Sequence, residues 1–65
     1  MKIDRIKIKL AIAQKEMNQT EFAEKCGISR QSICAILGRG TCSIANVGKI
    51  AKALGIEPQE IIKEE

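Results

Sequence analysis

The sequence predicts an all-α fold, a compact domain of five short helices. Three observations lead there. Val, Thr, Tyr and Trp are scarce while Ala, Ile, Lys and Glu are common, a balance that favours helix over sheet. Apolar residues recur at helical spacing between capping residues and glycines, which marks where helices start and stop. The 65 residues form a single expected domain, 1–65, with no linker, repeat or low-complexity segment. A chain this short buries only about 60% of the surface its unfolded form exposes, so it depends on close internal fit or on partners.

The first helix is expected from Asp4 to Met17, a stretch without Gly or Pro. Ile8, Ala11 and Ile12 give its inner face, with Leu10 a further candidate. Asp4 places a negative charge where the helix dipole welcomes one. Asn18 caps the second helix, and Glu21 three residues on completes a capping-box pattern. Phe22, Ala23 and Cys26 point inward, and Gly27 ends the helix because it tolerates a left-handed backbone. Ser29 caps the third helix, "RQSICAIL". Ile33, Ile36 and Leu37 share one of its faces, while Arg30, Gln31, Cys34 and Ala35 share the other. Gly38 and Gly40 are expected to stop it, leaving Arg39 in a loop. Ser43 caps the fourth helix, "IANVGKIAKAL", whose apolar face is Val47, Ile50, Ala51 and Leu54 and whose end is Gly55. Cys42 and Val47 are spaced as a hydrophobic staple. Pro58 suits the first position of a short fifth helix, "PQEIIK". Ile56 and Ile61 are expected to close the core.

Charge is unevenly placed. Residues 1–43 hold eight Lys/Arg against four Asp/Glu, whereas residues 44–65 hold three against four. The basic end is the better match for a polyanion. No apolar run approaches the ~18 residues of a membrane span. The charged N-terminus "MKIDRIKIKL" has no signal-peptide pattern. A cytoplasmic location is therefore expected, with thiols reduced.

The second and third helices are joined by a three-residue turn containing Gly27, the pattern of a helix-turn-helix. One helix of such a unit crosses the DNA backbone while the next enters the major groove. Ala23 must be small where the helices cross, Gly27 must allow the turn, and Ile28, Ile33 and Ile36 must anchor the second helix. All of these positions are suitably filled.

The stretch "NQTEFAEKCGISRQSICAIL" resembles the helix-turn-helix of the phage Cro and repressor type, also called the XRE family. "VGKIAKALGIEPQEII" is similar to that family's fourth and fifth helices. The resemblance spans roughly residues 4–62. It implies a lambda-repressor-like fold and a sequence-specific transcriptional regulator, acting as a repressor, that binds double-stranded DNA. It also implies roles for individual residues. Arg30 and Gln31 would reach base edges, since Arg suits guanine and Gln suits adenine, and Ala35 could touch a thymine methyl. Gln19, Ser32, Arg39, Thr41 and Ser43 would contact phosphates, with Lys49 a weaker candidate. A homodimer on DNA through the C-terminal helix is expected, because one of Ile61 and Ile62 should stay partly exposed. The alternative is an antitoxin-type module of the same fold, which binds a toxin partner and represses its own operon. Such a module should present a partner-sized apolar patch.

Two departures from the family pattern stand out. Where relatives often pair Arg with Glu, this chain has Ile12 and Leu37, and a buried ion pair exchanged for apolar residues is often neutral or stabilising. The loop ending at Ser43 is also about one residue short.

The cysteines at 26, 34 and 42 form no C-x-x-C pair, and histidine is absent. No metal site or cofactor is expected. Cys26 reads as core and Cys42 as a staple residue whose place near a helix N-terminus favours ionisation. Cys34 falls on the DNA-facing side, where oxidation or alkylation would block binding. Lys2, Arg5, Lys7 and Lys9 read as a solvated helix face. No convergent carboxylate pair or phosphate-binding glycine loop supports catalysis.

Overall fold

A computed structural model describes residues 1–63. Its helices in order are α1 (Arg5–Gln14), α2 (Gln19–Cys26), α3 (Arg30–Arg39), α4 (Ile44–Leu54) and α5 (Pro58–Ile61). The all-α expectation is borne out. α2 packs on α3 and on α4, and α5 packs on α4 and α1. The core between them contains Ile8, Phe22, Ile33, Ile50 and Ile61, all fully buried. Ile12 and Leu37 are both buried and line one shallow groove beside Gln19.

The caps anticipated at Asn18, Ser29 and Ser43 are present, and Asp4, expected only as a favourable charge, caps α1 as well. Asp4 accepts a hydrogen bond from Lys7 N. Asn18 and Glu21 form a reciprocal capping box, with Glu21 N donating to Asn18 Oδ1 and Asn18 N to Glu21 Oε1. Ser29 accepts from Ser32 N and Ser43 from Asn46 N. Each satisfies a donor that the helix itself leaves unpaired.

Three helix ends and one face assignment differ from expectation. α1 ends at Gln14, not Met17. Glu16 turns left-handed, with φ 55°, so that Met17 N reaches Ile12 O and Glu16 N reaches Ala13 O. That is a Schellman closure made without glycine. Leu10 is 63% exposed rather than part of the core. α3 runs through Gly38 and Arg39, and only Gly40, at φ 75°, ends it. The two extra residues have a cause: the Arg5 guanidinium donates to Leu37 O (3.4 Å) and Gly38 O (3.1 Å), placing a cation on the negative end of the helix. α5 stops at Ile61, and Ile62 is already extended.

The N-terminal segment holds a feature that periodicity did not signal. Residues 1–4 run extended between the loop after α3 and the C-terminal segment. Lys2 pairs antiparallel with Thr41, and Ile3 with Ile62. Cys42 N donates to Met1 O, Ile3 N to Gly40 O, Asp4 N to Ile61 O and Lys63 N to Lys2 O, at 2.7–3.1 Å. Ile3 is buried beneath these pairs. Among the described residues, no helix is long and apolar enough to cross a membrane.

Candidate nucleic-acid interface

The turn between α2 and α3 is built as a helix-turn-helix requires. Gly27 takes φ 70°, a conformation that costs an L-residue about 1–2 kcal/mol. Ile28 N then returns to Ala23 O at 3.1 Å. Ala23 is buried between the helices, and Ile28 is partly buried against the core. α3 is held from below by Ile33, Ile36 and Leu37. The opposite face, formed by Arg30, Gln31, Cys34 and Ala35, is exposed.

Gln19 is the first residue of α2 and is half-buried. Its Oε1 accepts a hydrogen bond from Cys34 Sγ at 3.2 Å. This contact spans α2 and α3 and places the Gln19 side chain beside the outer face of the third helix. With its oxygen engaged, the Gln19 amide presents its N–H₂ group as donor. At the start of α3, Ser29 Oγ–H donates to Ser32 Oγ at 2.9 Å, so the Ser32 hydroxyl keeps its own proton to give. Ser43 accepts from Asn46 N and likewise retains its O–H as a donor.

The remaining sequence-derived candidates sit at the far end of α3. Arg39 is its last residue and not a loop residue, Gly40 follows, and Thr41 is exposed in the bridge with Lys2. Arg30, Gln31, Ser32 and Ala35 therefore lie along one half of α3, and Arg39 and Thr41 at its end. Lys49 is exposed on α4 and lines a depression with Glu24, Lys25 and Gly27.

Sequence reading missed Arg5. It is not only a solvated charge, because its guanidinium grips the end of α3. Its Nε and Cδ also lie 3.2 and 3.3 Å from where a Cβ on Gly40 would stand. Lys2 belongs to the extended segment and not to the face of α1. Only the pattern of one apolar residue, Ile3, between Lys2 and Asp4 hinted at this.

The three thiols are in different states. Burial pushes the Cys26 thiol up to about 11. Burial also raises Cys42, with the nearby N-terminal ammonium pulling it partly back. The expected ease of Cys42 ionisation is thus corrected, since loss of water outweighs the pull of the ammonium. Cys34 is exposed. Among the described residues, no group of three or more His, Cys, Asp or Glu is placed to hold a metal ion.

No curated protein and no solved structure gave a match to this chain. A family model does match, over residues 7–65, and it describes the Cro/C1-type HTH DNA-binding domain. That family is one of DNA-binding regulators and not of enzymes. With the helix-turn-helix geometry of α2 and α3 beside that match, the chain belongs to the Cro/C1-type helix-turn-helix DNA-binding family.

Proposed function

We propose that this DNA-binding regulator is a repressor that reads the major groove with the exposed face of α3. Arg30 and Gln31 reach base edges from the first turn of the helix, and Ala35 meets a thymine methyl one turn on. Gln19, Ser32, Arg39, Thr41 and Ser43 bind backbone phosphates and set the register. The observation that carries this reading is the Cys34–Gln19 hydrogen bond. It brings the proposed clamp at the start of α2 onto the same surface as the proposed readers of α3. Occupancy of the groove is enough to exclude another protein from the same DNA, so repression requires no further part of the molecule.

Two copies on half-sites about one helical turn (~34 Å) apart would nearly touch, since the molecule measures 29 × 22 × 18 Å. We place the contact at the C-terminal segment, where Ile61 is fully buried and Ile62 stays partly exposed. In-vitro selection of bound duplexes tests the reading. Wild type should enrich a consensus, and Arg30→Ala should lose about 1–3 kcal/mol and relax one base pair of it. Equal, sequence-independent binding by both proteins would refute the assignment.

One observation favours a second reading, that of an antitoxin-type module with a protein partner. Ile6 and Leu10 are 71% and 63% exposed and lie one turn apart on α1. They form an apolar pair on an outer surface of α1. Co-purification with a second protein, lost in Leu10→Lys, would support it.

A further inference from the structure

We propose that Arg5 is a positioning residue for DNA binding: it does not meet the DNA itself but holds the last turn of α3, and so presents Arg39 to the backbone. This rests on the reading of Arg39 as a phosphate contact and names what keeps that contact in place.

The last turn of α3 is weak by composition. Gly38 lies inside it and Gly40 follows Arg39. Glycine in a helix costs about 1 kcal/mol relative to alanine, because it gives up the most backbone freedom. A helix also leaves its last carbonyls without partners of its own. Arg39 is thus exposed between two glycines, at an end that local propensity does not hold. Gln19, Ser32 and Ser43 differ, since a side-chain hydrogen bond fixes each of them.

The missing support comes from the chain just before and at the start of α1. Arg5 Nη1 donates to Leu37 O at 3.4 Å and to Gly38 O at 3.1 Å. Ile3 N donates to Gly40 O at 3.0 Å. Carbonyls on both sides of Arg39 are therefore tied to residues 3–5. The Arg5 stem also lies along Gly40, where a Cβ would stand 3.2 Å from its Nε and 3.3 Å from its Cδ. The hydrogen bonds from the guanidinium are charge-assisted, and its cation suits the negative end of the helix. Holding Arg39 in helical geometry before DNA arrives removes part of the ordering cost from the binding step.

The test is the salt dependence of binding to a duplex taken from the selection above, with every variant measured well below its melting temperature. Arg39→Ala should flatten the slope of log K against log salt by about 0.9, the share of one phosphate contact. Arg5→Ala should flatten it too, and the double variant by no more than about 0.9 in all, because Arg5 acts through Arg39. A double variant flattened by about 1.8 would mean two independent contacts and would overturn the proposal. So would an unchanged slope in Arg5→Ala. Gly38→Ala strengthens the same turn by another route, since a Cβ there meets nothing within 4 Å. Added to Arg5→Ala, it should restore most of the lost slope. No recovery would show that Arg5 works through its charge alone, and would overturn its positioning role. An unchanged slope in Arg39→Ala strikes that phosphate contact and this proposal together, while Arg30→Ala still judges the reading helix separately.

Discussion

At the scale of single residues, the three cysteines show how position decides chemistry. Cys26 is 6% exposed among Phe22 and its neighbours in the core. Its thiol is raised from 9.0 to about 11 by burial, so the folded protein holds that proton more tightly than the unfolded chain does. A raised acid contributes stability below its unfolded value and loses it as pH climbs through the folded one. Thermal unfolding should accordingly show falling stability between about pH 9 and 11, and Cys26→Ala should flatten that fall. Alkylation at neutral pH should follow exposure. Cys34 should react first and Cys42 later, while Cys26 should react only on unfolding, as peptide mapping over time would reveal. The Cys34 adduct should also weaken DNA binding, because the thiol orients Gln19. Cys34→Ser, which keeps a donor, should hold affinity better than Cys34→Ala.

At the scale of elements, helix ends are where sequence and structure part company. The starts of α2, α3 and α4 were legible, because Asn18, Ser29 and Ser43 declare themselves chemically and all three accept the expected backbone hydrogen bonds. The ends of α1 and α3 were not. Glu16 in a left-handed turn carries no signal that a glutamate normally gives. α3 runs through Gly38 because Arg5, 33 residues away in sequence, holds its carbonyls. Local propensity cannot encode a partner that distant. The same split makes the glycines predictable in opposite senses. Gly40→Ala should cost about 1–2 kcal/mol, since φ is 75° and Arg5 stands in the way. Gly48→Ala should stabilise by about 0.5–1 kcal/mol, because Gly48 lies inside α4 with open space around it. Paired denaturant melts measure both. Arg5→Ala should release the last turn of α3, seen as faster hydrogen exchange at Gly40 N, which bonds Ile36 O at 2.8 Å.

At the scale of the whole molecule, the termini close the structure. Ile3 is 3% exposed and Ile61 fully buried, and the segments carrying them are hydrogen-bonded together. Ile61→Ala should cost about 2–5 kcal/mol, a large share of the stability available to so short a chain. Ile62→Ala should cost far less, because that side chain is only partly buried. The proposed reading face of α3 followed from periodicity and resemblance, since its residues are local to one helix. The closure of the N-terminal segment did not, because it exists only once residues 1–4 are threaded between two distant segments. On the proposed reading, DNA meets the outer face of α3 together with the start of α2. An NMR titration of the isotope-labelled protein with a selected duplex tests it most directly. The largest amide shifts, and direct protein–DNA contacts, are expected at Gln19, at Arg30 to Ala35 and at Arg39 to Ser43, with Ile6 and Leu10 unmoved. Shifts centred on Ile6 and Leu10, with Arg30 and Gln31 silent, would contradict it.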